Sequence, residues 1–173
     1  MKTQITWFRA RLGIFVSAVI TAALIGIPIP RTSGGEFVPL KLRGTVTIQS
    51  IIPIGIDGDV LTAAVVATDS GWGTHFGAFT SEFHLLVDID LTTGIPLRGG
   101  GVIIQTNADG STVTWWNQFE GAETGSTITG GSGRFQNAEG WVEGTSVLNA
   151  DGTFTYDEEG QITSVGSNRR ARP

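Results

Sequence analysis

The segment TITGGSGRFQNAEG, residues 127–140, decides the fold of this chain. A β-branched run ends there at three glycines within four residues, and a new strand-like run opens at Gly140. Glycine permits positive φ and carries no side chain, so this backbone can turn sharply or lie against another strand. We predict a corner of a closing sheet, with an aromatic side chain filling the space beside the glycines. The corner residues are Gly130, Gly131, Gly133, Arg134, Phe135 and Gly140.

A flexible glycine loop is the alternative interpretation of this segment. Strand-like runs adjoin it at both ends, with Ile128 on one side and Trp141 and Val142 on the other. Such runs are typical of a turn that is held by paired strands. The pattern therefore favours the corner over the loop.

Length and composition indicate a single domain with additional segments at both ends. The chain has 173 residues, of which 40% are hydrophobic, and it contains no Cys. This size suits one hydrophobic core. The lack of Cys excludes a disulfide framework, a lipoprotein anchor and a Cys nucleophile. We predict no cofactor and no metal.

The charge distribution argues against nucleic acid as a partner. All 16 acidic residues but only seven of the 11 Lys and Arg residues follow position 33, so the body carries a net charge of about −9. Proteins bind phosphate backbones through Lys and Arg. We therefore expect no nucleic-acid ligand.

Residues 1–33 predict a signal peptide with a linker. Lys2, Arg9 and Arg11 precede an uncharged run over residues 12–29, which is the layout of a secretory signal. The run also approaches the length of a membrane span, so an uncleaved anchor is the alternative. We expect a secreted or periplasmic barrel over residues 34–165 and a flexible basic tail over residues 166–173.

Five segments between residues 30 and 90 have recognisable patterns. Residues 30–40 indicate a polar linker, and residues 42–50 alternate as a half-buried strand does. Residues 53–59 have the composition of a turn. Residues 60–68 predict a strand covered on both faces. Residues 74–90 predict the longest strand, with its odd-numbered side chains on the apolar face.

The second part predicts further strands joined by tight turns. The segments NADGS at 107–111 and NADGT at 149–153 repeat one another, and Asp-Gly between strand-like runs is typical of a hairpin. A calcium loop is the alternative, but its twelfth position would be Gln118 or Gly160 instead of Glu. The remaining strands are expected at residues 97–106, 112–119, 141–149, 152–156 and 161–165.

Adjacent tryptophans in one strand point to opposite faces of a sheet. Trp115 and Trp116 lie in the strand over residues 112–119, so one of them is expected outside the core. An exposed Trp indicates a subunit interface or a ligand platform, although an isolated exposed Trp is also ordinary. A homo-oligomer is the prediction that corresponds to the interface. About eight strands in tight succession predict a sandwich or a closed barrel, and closure removes exposed strand edges.

Three motifs resemble those of the allene oxide cyclase-like barrel family, which is related to the dirigent proteins. Residues 127–140 with the following hairpin, up to Ile162, resemble the C-terminal half of that barrel. The Gly-Gly-x-Gly-x-Phe box is similar to one in dirigent proteins. GTHFGAFTSEF at residues 73–83 resembles a stretch of small secreted bacterial members.

The resemblance implies an all-β, eight-stranded antiparallel allene oxide cyclase-like barrel with a hydrophobic lumen, frequently assembled into oligomers. Plant cyclases of this group close a ring on an unstable fatty-acid epoxide by means of a carboxylate and a bound water. No position of this sequence matches those catalytic residues, so their roles are not transferred, and fold alone does not establish an activity.

Few residues offer catalytic or ligand-binding chemistry. His75 and His84, the only histidines, have opposite parity in one strand and cannot share a metal. No Gly-x-Ser-x-Gly nucleophile motif occurs. His75 is the candidate catalytic residue, because burial on the apolar face would keep it neutral as a general base. The ligand-binding candidates are His75, Phe79, Phe83 and Trp115.

Each candidate has a purely structural alternative. His75 would then be hydrogen-bonded to the backbone at the end of a strand. Glu82, His84 and Asp88 share the opposite face and fit a solvated exterior. Arg134 is expected to hold the corner through a carboxylate such as Glu139.

Three functions follow as hypotheses. The first is an exported barrel, without established catalysis, that binds a small hydrophobic ligand in its lumen. The second is a cyclase, an isomerase or a dirigent-like protein that steers a reactive hydrophobic substrate. The third is a self-assembling structural module. A membrane is expected as a partner only through an uncleaved N-terminal segment.

Overall fold

Eight antiparallel strands close into one barrel in the computed structural model, which describes residues 36–163. Each strand pairs with the next in chain order, and β8 returns to pair with β1. The predicted all-β, eight-stranded antiparallel barrel is confirmed. The predicted signal or anchor and the basic tail lie outside the described residues. The strands are β1 (Phe37–Asp57), β2 (Val60–Gly73), β3 (Gly77–Asp90), β4 (Pro96–Asn107), β5 (Thr112–Glu120), β6 (Glu123–Gly131), β7 (Gly140–Leu148) and β8 (Phe154–Thr163).

The up-and-down order gives the barrel two different ends. The turns that follow β1, β3, β5 and β7 meet at one end, which we call the mouth. The turns that follow β2, β4 and β6 meet at the other, which we call the closed end. Side chains alternate between the barrel interior and its outer wall, because successive residues of a strand point to opposite faces.

An aromatic cluster fills the closed end. Phe76, in the turn between β2 and β3, is at its centre. Its ring centroid lies 4.9 Å from that of Phe135, 6.0 Å from Trp115 and 6.3 Å from Phe79. All four rings are buried. Burying such rings stabilises the barrel and closes this end, so among the described residues the interior opens towards the mouth.

The glycine corner forms as the sequence predicts, between β6 and a one-turn helix at Gly133–Phe135. A Cβ on Gly131 would lie 2.6 Å from the Phe135 carbonyl oxygen, and Gly133 has a φ of 60°. Phe135 is fully buried in the aromatic cluster. Gly140 passes so close to β8 that a Cβ there would lie 2.4 Å from the Gln161 carbonyl oxygen.

Arg134 pairs with a carboxylate as predicted, but this carboxylate belongs to Asp109 and not to Glu139. The Arg134 Nε lies 3.0 Å from Asp109 Oδ2, and Nη2 donates to the Phe76 carbonyl oxygen at 2.9 Å. The backbone of Glu139 bonds instead to Thr163. The corner directs Arg134 towards the turn after β4, so this side chain ties together the three turns of the closed end.

The predictions for β1 underestimate its length. Residues 37–40 belong to this strand and are not a linker, because they pair with β8 from Phe37 opposite Thr163. The turn predicted at residues 53–59 is wrong for residues 53–57, because β1 continues to Asp57 and pairs there with β2. Only residues 58 and 59 form the turn. A register shift at Pro53 accommodates the proline, as bulges do. β1, with 21 residues, is therefore longer than β3.

Three other strand predictions need correction. β2 is covered on one face, because Ala64 and Val66 point to the outer wall and are half-exposed. β3 begins at Gly77, since residues 74–76 form the tight turn after β2. Residues 161–163 are not a separate strand and continue β8. The two Asp-Gly hairpins are confirmed, with φ of 78° and 83° at Gly110 and Gly152.

The corner yields a prediction from two adjacent glycines. Gly131→Ala should lower the free energy of unfolding by roughly 1–3 kcal/mol, because the new Cβ would overlap the Phe135 and Thr112 carbonyl oxygens. Gly130→Ala is the matched control, since its Cβ would meet nothing nearer than 4.0 Å. Urea unfolding of both variants measures the difference. Equal stabilities would contradict the proposed close packing.

Candidate functional site

The barrel encloses a cavity of about 370 Å³ that opens at the mouth. All eight strands contribute lining residues, together with Ile95, Gly121 and Ala122 from turns at the mouth. The volume lies within the range of small-molecule sites, which is roughly 300–1,000 Å³. We call this cavity the lumen.

The part of the lumen nearest the mouth is apolar. Its wall consists of aliphatic and aromatic side chains from strands around the barrel, because the inward positions of these strands are occupied by such residues. They are Ile48, Ile51, Val65, Leu85, Val87, Ile89, Phe119, Leu148 and Phe154. A hydrophobic molecule that leaves water for this region gains about 25 cal/mol for each Å² of apolar surface buried.

Polar side chains form a ring deeper in the lumen. Asp69, Ser81 and Gln105 are direct neighbours across β2, β3 and β4. Asn117 faces Ser126 across β5 and β6. The ring is completed by Thr124, Tyr156 and Glu158. An apolar chamber with a few convergent polar groups is the usual composition of a ligand site.

Gly44 permits the contact between Tyr156 and Asp69. These residues lie on β8 and β2, on either side of β1, and the Tyr156 hydroxyl donates to Asp69 Oδ2 at 2.5 Å. A Cβ on Gly44 would lie 2.6 Å from that hydroxyl oxygen. The missing side chain therefore leaves the path along which the phenol crosses the inner face of β1.

Asp69 is a buried acid with an incompletely satisfied carboxyl group. Its side chain is 6% exposed, and Oδ1 has no hydrogen-bond partner within residues 36–163. Burial raises the pKa of Asp69, and this rise is opposed by Tyr156 and by the side chain and backbone of Ser81, its cross-strand neighbour. Burial likewise raises the pKa of Tyr156, so the phenol remains a hydrogen-bond donor.

Glu158 is the second buried acid of the lumen. Burial raises its pKa to about 7, the Asp69 carboxylate adds to the rise, and a hydrogen bond from Thr124 opposes it. The group is therefore poised to gain or lose a proton near neutral pH. Such a perturbed acid in a cavity is a common feature of functional sites.

The amide side chains of the ring are held by their own network. Trp115 Nε1 donates to Gln105 Oε1 at 3.1 Å, and Gln105 Nε2 donates to Asn107 at the same distance. Asn117 Nδ2 lies 3.0 Å from Ser126 Oγ and 3.1 Å from Thr124 Oγ1. These amide nitrogens are thus engaged within the barrel, whereas Asp69 Oδ1 has no partner among the described residues.

The structure separates the residues proposed from the sequence. Phe83 and Trp115 line the lumen, whereas Phe79 belongs to the aromatic cluster beneath it. His75 is not on the apolar face of β3, because it lies in the preceding turn with a φ of 69°. It is exposed, and its Nε2 lies 3.1 Å from the Pro39 carbonyl oxygen. His75 therefore cannot act in the lumen.

The exterior residues lie as their strand parity predicts. Glu82 and His84 form an exposed pair at 2.8 Å, and Asp88 pairs with Arg98. Trp115 is buried inside and Trp116 is 46% exposed on the outer wall, which confirms the opposite faces predicted for the two tryptophans. Within residues 36–163, no three His, Cys, Asp or Glu side chains are arranged to hold a metal ion, and no helix could span a membrane.

The acidic residues of the lumen are the part of the site that the sequence analysis missed. Asp69 lies just beyond the strand predicted over residues 60–68 and precedes Ser-Gly-Trp-Gly. Its parity matches Ala63, Val65 and Ala67, whose side chains all face inward. Glu158 lies in an acidic run that resembles a solvated turn, yet it shares its parity with Ile162. If the alternation of inward and outward side chains is continued to residues 69 and 158, both acids are predicted to face the barrel interior.

Comparison with known proteins relates the barrel to dirigent proteins. No protein-family model and no curated protein matches the sequence. Solved structures of two pterocarpan synthase dirigent proteins, PsPTS1 and GePTS1, are similar in fold. PsPTS1 has a TM-score of 0.56 and 12% identity over 78% of this chain and 99% of its own. GePTS1 has a TM-score of 0.55 and 14% identity, and the match covers 77% of this chain and 93% of GePTS1.

These similarities establish a dirigent-like β-barrel fold for the chain. They do not include an allene oxide cyclase or a secreted bacterial protein. A relationship to either group stays a prediction from the sequence motifs. At this level of identity, the likeness concerns the arrangement of strands. The chemistry of the lumen must therefore be argued from its own residues.

The raised pKa of Glu158 predicts a pH-dependent stability. The native carboxyl binds its proton more tightly than the unfolded one, so the free energy of unfolding should fall as pH rises from 4.5 to about 7. Asp69 acts in the same direction. Glu158→Gln should be more stable than the wild type by roughly 2 kcal/mol at about pH 8 and similar at about pH 4.5.

Urea unfolding over this pH range measures the effect. Glu159→Gln is the matched control, because Glu159 is exposed on the outer wall, where it pairs with Lys41. Its stability should follow the wild-type pH dependence between about pH 5 and 8. Parallel curves for Glu158→Gln and the wild type would show that Glu158 titrates as an ordinary surface carboxyl.

Proposed function

We propose that the barrel binds a small hydrophobic molecule in its lumen. The observation that carries this proposal is the layered lumen, apolar near the mouth and polar at its base, above a closed aromatic floor. A hydrophobic molecule that also carries a polar group matches both layers. The dirigent-like fold supports the same function, since barrels of eight strands can hold one small ligand.

The location outside the cytoplasm is also a proposal. It rests on the signal-like composition of residues 1–33. The homo-oligomer is proposed from the exposed Trp116 on the outer wall. Neither is required for binding, because the lumen is formed within one chain.

Blocking the lumen should abolish binding of a neutral fluorescent probe. Ala67 is a buried inward residue of β2, so Ala67→Phe places a ring in the lumen. We expect prodan, a neutral naphthalene dye, to bind the wild type with a blue-shifted emission. Its affinity for Ala67→Phe should fall by at least about tenfold, which corresponds to ~1.4 kcal/mol.

Ala64→Phe is the matched control for this test. Ala64 lies on the same strand, but its side chain points to the outer wall. Prodan affinity should therefore be unchanged in this variant, and circular dichroism should show that both variants are folded. Equal affinities for Ala67→Phe and the wild type would overturn lumen binding.

A second candidate function is the steering of a reactive substrate, and Glu158 is the observation that favours it. Since its pKa is about 7, this group is available as acid or base near neutral pH. Its protonated form can donate to a departing hydroxyl oxygen, which leaves as water. The carboxylate can then accept a proton from a second hydroxyl as that oxygen attacks, so the group ends as it began.

Chiral product analysis tests this second function. Racemic and prochiral hydroxylated aromatic compounds would be incubated with the wild type and with Glu158→Gln. Steering predicts that one stereoisomer is enriched by the wild type and not by the variant, while prodan affinity is unchanged. Enrichment that persists in Glu158→Gln would exclude Glu158 as the acid.

A further inference from the structure

The base of the lumen contains two acidic side chains and no basic side chain among its described lining residues. Asp69 and Glu158 enter it from β2 and β8, and the Asp69 charge is felt at Glu158. No Lys, Arg or His is among the described residues that line the cavity. Buried acids are protonated or paired with a donor or a cation, because an isolated carboxylate loses its hydration. The partner of these acids is therefore to be sought in the ligand.

The unpartnered oxygen of Asp69 specifies what the ligand must offer. Tyr156 occupies Oδ2, while Oδ1 accepts no hydrogen bond within the described chain. The missing group is thus a hydrogen-bond donor. An ammonium carries three donors and a positive charge, so one such group can serve a carboxylate oxygen and neutralise the base of the lumen.

The mouth of the barrel also favours a positively charged ligand. Acidic side chains occupy the turns and strand ends through which a ligand enters, and Arg98, the basic residue at this end, is paired with Asp88. A mouth of one sign attracts ligands of the opposite sign and repels those of its own. The acidic residues of the mouth are Asp57, Asp59, Asp90, Glu120, Glu123 and Asp151.

The layering of the lumen fixes the orientation of such a ligand. On β8, Phe154 lies at the mouth and Glu158 lies four residues deeper, or about 13 Å along the strand. The lining between the mouth and the acids is mostly aliphatic. An ammonium head at the acids would therefore leave its hydrocarbon part along this wall.

We infer that the ligand of the lumen is a hydrophobic primary amine, which enters with its ammonium group first and binds it between Asp69 and Glu158. This inference rests on the proposed binding function and adds the chemical class of the ligand. A carboxylate of the same length is excluded by charge repulsion at both the mouth and the base. A neutral alcohol offers a single donor and leaves the acids unneutralised.

Amine binding should be coupled to the protonation of Glu158. The other titratable groups that face it inside the barrel are Asp69 and Tyr156, and the neighbouring inward residues of β1, β6 and β7 are not titratable. Asp157 acts from the outer wall. An ammonium beside Glu158 favours the carboxylate, so binding should release protons near pH 6–7 and tighten as pH rises.

Octylamine, octanol and octanoate, each below its aggregation concentration, form a matched set for calorimetry. At about pH 8 we expect octylamine to bind at least about tenfold more tightly than octanol, as charge-assisted hydrogen bonds imply. Octanoate should not bind measurably. Titrations near pH 6.5, in buffers of different ionisation enthalpy, should show proton release on octylamine binding to the unaltered protein.

The variant Asp69→Asn with Glu158→Gln tests the site itself. It should lose the preference for octylamine over octanol, and circular dichroism should show that the variant is folded. Glu159→Gln should retain the full preference, because it removes a charge from the outer wall.

The outcomes distinguish a failure of the amine inference from a failure of the proposed lumen binding. Octanol or octanoate binding as tightly as octylamine, or amine binding without proton release, would overturn the amine inference and leave lumen binding intact. Failure of all three compounds and of prodan would overturn the proposed function itself.

Discussion

The pairing of β1 with β8 is the constraint on which the rest of the structure depends. It runs from Phe37 opposite Thr163 to Val46 opposite Phe154 and converts a linear succession of hairpins into a closed barrel. Closure leaves no unpaired strand edge. It also makes an interior, and it brings Tyr156 and Asp69 to either side of the narrow inward strip of β1 at Gly44.

Closure explains how one barrel holds both a solid core and a cavity. At the closed end, Phe76, Phe79, Trp115 and Phe135 meet and exclude an open interior. Towards the mouth, the inward residues include smaller ones such as Ala63, Val65 and Val87, and the opposite walls do not meet. The polar ring lies at this transition and lines the lumen, where a bound molecule can reach it.

The sequence predicted the barrel because its signals are local. Asp-Gly turns, alternating strands and the glycine corner each act within a few residues, and the structure confirms them. The long β1 was not predicted, because its two ends are defined by partners that are distant in sequence. The carboxylate that pairs with Arg134 was not identified for the same reason, since Asp109 approaches this side chain only when the turns of the closed end assemble.

The candidate site was harder to predict than the fold. His75 has the chemistry of a catalytic group but lies in a turn on the outside. Asp69 and Glu158 look like surface acids in the sequence, and barrel closure is what buries them. A carboxylate on a strand is enclosed only when strands on the far side of the barrel cover it. The alternation of residues along one strand does not reveal whether such strands are present.

A carboxyl-detected NMR titration of Glu158, in the free protein and with octylamine, tests the central claim most directly. We predict a midpoint of about 7 in the free protein and a lower midpoint when the amine is bound. A midpoint near the ordinary glutamate value of 4.5, unaffected by the amine, would mean that this carboxyl is solvated. In that case the lumen would not be the enclosed acidic site described here.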